Sequence, residues 1–176
     1  MTRIRRPFSV LSALGTAAHH SYELGSGVGL VLQPEVGLAG SVVLWGVQLP
    51  AWAVGAAFGG RRWDKTLALW AGTGLAGAVV HYVMWPWRRN RLGLPALTTA
   101  EGLSSAQLPA YNGILWAWAA ASGLAVALEV PRGARRWAVA GLLTMPILRL
   151  SARHHFDWIR REAADQPAWW NRAFRG

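Results

Sequence analysis

The charged residues of this chain come in short clusters, and long uncharged apolar stretches separate them. Residues 66–87 contain no Asp, Glu, Lys or Arg. A run of that length can cross a hydrocarbon core of about 30 Å as one helix. Asp64 stands just before it in a helix-start position, and Gly72, Gly74 and Gly77 supply the small residues on which membrane helices pack. A second uncharged run covers residues 36–59. Pro50 interrupts it, which a membrane helix tolerates when neighbours satisfy the freed carbonyl. A third apolar run covers residues 110–130, with Glu129 near its end, and stops at Pro131. A fourth, shorter one covers residues 135–151, with Arg149 near its end able to snorkel to the interface.

Composition agrees with this pattern. Hydrophobic residues make up 53% of the 176 and charged residues 15%, against about 25% in an average soluble domain. That content excludes a disordered chain. With no cysteine, a disulfide scaffold or thiolate metal site is excluded too.

The net charge of +10 raises nucleic acid as a partner, but its distribution argues against one. Arg3-Arg5-Arg6, Arg61-Arg62, Arg88-Arg89-Arg91, Arg135-Arg136 and Arg160-Arg161 each flank an apolar segment. Charge placed there meets anionic headgroups and orients spans. The expected partner is therefore a lipid bilayer with anionic headgroups and no nucleic acid, together with either a membrane-protein partner or a second copy of the chain. Trp63, Trp70, Trp85, Trp87, Trp116, Trp118 and Trp137 lie near predicted span ends, as interfacial aromatic belts do.

Residues 8–33 are ambiguous. Their length spans, but His19, His20 and Glu23 fall near the middle. A charged group at a helix centre costs about 2.5–3.5 kcal/mol on insertion scales. Gly25, Gly27 and Gly29 weaken the helix by up to about 1 kcal/mol each. The segment reads as a further span or as a re-entrant or interfacial one. A signal-peptide reading is weaker, because the apolar run is brief and Ser-interrupted. Four spans put 12 basic residues on one side and 6 on the other; five spans make it 9 to 9. The positive-inside rule thus favours an even number of spans with both ends cytoplasmic.

The expected fold is all-α: a polytopic transmembrane helical bundle in the cell membrane. Residues 1–150 form its transmembrane domain and residues 151–176 an interfacial amphipathic helix and tail. In the loop after residue 87, Thr98 and Glu101 have capping-box spacing for a short helix. Glu129 sits near Arg132 as an interfacial ion pair.

No phosphate loop, nucleophile elbow or HExxH pattern occurs. Chemistry would rest on five histidines. Connectivity places His81, Asn112, His154, His155 and Asp157 at one end of the bundle, and His19, His20 and Glu23 can join them. Glu23 lies i+4 from His19 and i+3 from His20, so its carboxylate can hold either ring on one helix face. His154 and Asp157 repeat the i,i+3 relation. His19, His20 and Glu23 are the acid–base candidates, and His81, His154 and His155 the metal candidates. Two histidines on facing helices also suit haem. The sequence itself names no cofactor. Two functions follow: a non-catalytic accessory or lipid-interacting bundle, or a small membrane-embedded enzyme or metal or haem binder using the His/Glu cluster.

Overall fold

The structure is a computed structural model that describes residues 4–175, so Arg3 lies outside the described residues. It is helical almost throughout. The helices are α1 (Pro7–Ser26), α2 (Gln33–Phe58), α3 (Asp64–Met84), α4 (Leu108–Leu124), α5 (Arg135–Leu142) and α6 (Met145–Asp165). One turn of π-helix, Ala125–Glu129, prolongs α4. A short hairpin pairs β1 (Trp87–Arg89) with β2 (Pro95–Leu97), and a 3₁₀ turn, Trp169–Phe174, ends the fold. Proline opens α1, α2, α4 and α6 in the first turn, where its missing N–H removes no helical bond. Gly27 closes α1 at φ 87°, the left-handed conformation that glycine adopts without strain.

Three helices, 33–58, 61–84 and 108–129, are long and apolar enough to cross a membrane. Large apolar side chains face outward along α2, where Val43 and Val47 are 64% and 66% exposed, and around the α5–α6 turn at Leu143, Ile147 and Leu150.

α1 is one continuous helix running the length of the bundle. At its start, the Glu129 carboxylate accepts the Phe8 and Ser9 N–H groups at 2.7 and 2.8 Å and the Ser9 hydroxyl at 2.7 Å. This satisfies donors that every helix N-terminus leaves free, and a negative charge there is favourable. Arg6 pairs with Asp64 and donates to Gly59 O at 2.9 Å. At the other end, Tyr22 donates to Gln107 O at 2.9 Å and Ala173 N–H to Gly27 O at 3.3 Å. The described segments near the two ends of the chain therefore lie at opposite ends of α1. The insertion cost held against α1 does not apply, because Ser9, Ser12, Thr16, His19 and His20 are all buried by neighbouring helices.

Other expectations also change. Residues 135–151 are not one helix: α5 ends at Leu142 and α6 begins at Met145 and runs on to Asp165. Glu129 caps α1 and does not serve Arg132. Thr98 and Glu101 open no helix. The Thr98 N–H bonds Pro86 O at 2.9 Å and Glu101 pairs with Arg160. Asn112 holds the hairpin, accepting the Leu97 N–H at 2.8 Å and donating to Leu97 O at 3.2 Å.

Small residues set the packing. A Cβ on Gly72 would stand 2.1 Å from Ala138 O, and one on Gly141 would stand 2.3 Å from Leu69 O, so α3 and α5 touch backbone to backbone. On another face of α3, a Cβ on Gly77 would fall 2.7 Å from the Trp118 ring. We expect Gly72→Val to destabilise the protein by about 1–3 kcal/mol through overpacking. Glu129→Ala should cost about 1–2 kcal/mol through the lost cap. Thermal melts in detergent would check both, and an unchanged melt for either would count against the contact concerned.

Candidate functional site

His19 is a buried residue of α1, and three elements bring partners to its ring. Its Nε2 lies 3.0 Å from His81 Nε2 of α3, 3.1 Å from the Tyr111 hydroxyl of α4 and 3.2 Å from Glu23 Oε1 of its own helix. The Tyr111 hydroxyl donates to Glu23 Oε1 at 2.7 Å. The His19 and Glu23 side chains are 6% and 13% exposed. Each helix contributes for a local reason. The i,i+4 spacing stacks Glu23 over His19. His81 shares its face of α3 with Gly74 and Gly77, which lets α4 come close. Tyr111 stands in the first turn of α4 and is 1% exposed.

The protons can be assigned from partners. His81 Nδ1 is 2.7 Å from Gly77 O, and a carbonyl only accepts, so Nδ1 carries the hydrogen. His81 Nε2 is then a bare lone pair, and the hydrogen shared with His19 sits on His19 Nε2. Glu23 accepts from Tyr111, and the single His19 Nε2 hydrogen is shared between His81 Nε2 at 3.0 Å and Glu23 Oε1 at 3.2 Å. The remaining nitrogen of His19, Nδ1, is buried without a hydrogen-bond partner. The four residues form a connected donor–acceptor chain with one open end.

His20 stands beside this chain. Its ring centroid is 4.9 Å from that of His19 and 4.1 Å from Trp45, and its Nδ1 is also buried and unpartnered. His19, His20 and Glu23 each offer a ligand atom, all within 4.8 Å of one another, the donor set of a two-histidine, one-carboxylate metal site.

The predicted metal trio is not brought together. His81 lies in the cluster and His155 donates to Val28 O at 2.9 Å, both beside the same cavity. His154 points elsewhere: its side chain is 58% exposed and meets Glu35 at 3.5 Å. Asp157 bonds Arg160 at 2.8 Å and leaves His154 without the expected i,i+3 partner.

A cavity of about 140 Å³ adjoins the cluster, reached by His19, His20, Glu23, His81 and His155. An engineered apolar cavity of about 150 Å³ holds benzene. Trp45, Trp52, Trp70, Trp85 and Trp118 line its walls. Trp70, Trp85 and Trp118, expected in an interfacial belt, thus face inward. The haem option does not fit: trans imidazoles on one iron stand roughly 4 Å apart, at about 2 Å per bond, and His19 and His81 are 3.0 Å apart.

Tyr111 was not among the site residues expected from sequence. Its signal was a single phenol opening an apolar run at the membrane level of His81. Trp45 and Trp118 had no sequence signal that separates a cavity wall from a belt.

No protein-family model, curated protein or solved structure matches the chain.

Removing a donor from a buried carboxylate leaves the carboxylate undersatisfied. We expect His19→Leu to destabilise the protein by about 1.5–3 kcal/mol. The double variant His19→Leu/Glu23→Leu should recover much of that loss. Melting the two variants in parallel checks it, and a double variant no better than the single would overturn the pairing.

Proposed function

We propose that the chain is a multi-pass integral membrane protein with an acid–base site built from His19, Glu23, His81 and Tyr111. The bundle crosses the bilayer five times. α1, α2, α3 and α4 with its π turn make four crossings, and α5 with the first turns of α6 makes a broken fifth. Three membrane-length apolar helices and the outward apolar faces of α2 and the α5–α6 turn support this reading. The polar face of α1 is turned inward, as ionisable residues within a bilayer require. The arginine clusters then stand at both ends of the bundle, against anionic headgroups.

The observation that carries the acid–base reading is the linked chain Tyr111–Glu23–His19–His81 beside an apolar cavity. A proton accepted from a bound molecule at His19 Nδ1 is balanced by release of the Nε2 proton to Glu23. The ring stays neutral and exchanges its tautomer. Before the step, His81, fixed by Gly77 O, holds the hydrogen of His19 on Nε2 and so keeps Nδ1 bare. Tyr111 holds the carboxylate in place. Positioned groups of this kind accelerate proton transfer by typically about 10²–10⁴-fold. A purely accessory bundle accounts for the outward faces and gives no role to a carboxylate buried among three helices.

Two measurements test the proposal. Reporters fused to the two ends should fall on opposite sides of the membrane; the same side would overturn the five crossings. Glu23→Gln should insert normally and lose cellular function. It should also remove a carboxyl band from the infrared difference spectrum of an acid-to-alkaline titration. Retained function and an unchanged band would reject the acid–base site.

A further inference from the structure

A second cavity, of about 390 Å³, lies between α1 and α2. Its walls are the apolar side chains of Ala13, Leu14, Ala17, Val42, Leu49 and Ala53. Leu14 and Val42 are also 55% and 47% exposed, so the cavity opens on the outer apolar surface of the bundle. It shares two residues with the inner cavity, His20 and Trp45. These two rings, 4.1 Å apart, form the partition between the spaces. Neither His20 Nδ1 nor Trp45 Nε1 has a hydrogen-bond partner, so no bond from those atoms pins either ring.

α2 is built to yield at this place. Pro50 lacks the N–H that would bond Gly46 O, and both residues line the outer cavity. A third cavity, beside Arg88, Arg89 and Arg91, has a charged mouth, and it shares no lining residue with the inner one. That charged mouth therefore does not adjoin the His19–Glu23 cluster, whereas the apolar outer cavity does.

We propose that the ligand of the inner cavity is a lipid-soluble molecule with a slender apolar part. It enters sideways from the bilayer between α1 and α2, past the His20–Trp45 partition. This inference rests on the acid–base reading for what happens at the end of the route. The route itself is tested by access alone.

The probe is a hydrocarbon carrying a diazirine, dissolved in phosphatidylcholine vesicles that contain the full-length protein. After photolysis, peptide mapping should find label on the inner-cavity residues Thr16 and Thr73 as well as on outward Val43 and Val47. Ala17→Trp, which fills the outer cavity, should abolish the inner label and keep the outer one. Ala53→Trp plugs the same space from α2 and should do likewise, so misfolding of one variant leaves the other to decide. Trp45→Ala should increase the inner label several-fold. Label confined to outward residues in the unmodified protein would overturn the proposal. So would inner label that survives both plugs. Photolabelling reads entry and the infrared titration reads proton exchange, so either can fail while the other stands.

Discussion

The structure depends on how closely other backbones approach α3. Gly72 brings the main chain of α5 against it, and Gly74 and Gly77 admit the Trp118 ring of α4 on another face. Gly15 does the same for α1, since a Cβ there would lie 2.9 Å from Trp118 Cβ. Between apolar helices in lipid there is little hydrophobic drive to associate, so close packing and hydrogen bonding must hold them. The absence of side chains at these glycines sets the helix spacing. That spacing lets an imidazole from α1, one from α3 and a phenol from α4 meet at one point.

The meeting point then has its own requirements. A carboxylate away from water is tolerated only where donors surround it. Glu23 finds them in Tyr111 and His19, and His19 is oriented in turn by His81 and Gly77. Trp118 lies over the His19 ring at 5.0 Å and closes that side with apolar surface. The polar chain is thus ordered up to His19 Nδ1, which is left unpartnered beside the cavity.

Much of this was legible in the residues. The helical class, the membrane-length runs of α2, α3 and α4, and the one-turn contact of Glu23 with His19 came from charge spacing and helical periodicity. Residues 8–33 were left open for a physical reason. Insertion costs describe a helix facing lipid, and α1 turns its serines, threonine and histidines inward. Of the arginines counted for topology, Arg6 has a specific partner in Asp64. The break in the last predicted span lies at Leu143 and Thr144, between Gly141 in the last turn of α5 and Pro146 in the first turn of α6, a stop and start signal that the apolar run obscured. Tyr111 and the cavity tryptophans depend on which way a helix is rotated, and a nearly uniform apolar run does not encode its own rotation.

The hydrogen bond between Glu23 and Tyr111 spans 88 positions of the chain. α1 precedes α3 and α4 in the chain, so its carboxylate has no phenol to hold it until α4 has emerged, and His19 waits 62 positions for His81. An unpartnered charged group at mid-bilayer costs about 2.5–3.5 kcal/mol. In the membrane reading, α1 would therefore settle only once α3 and α4 have joined it, and its retention would be a checkpoint on the completion of the bundle.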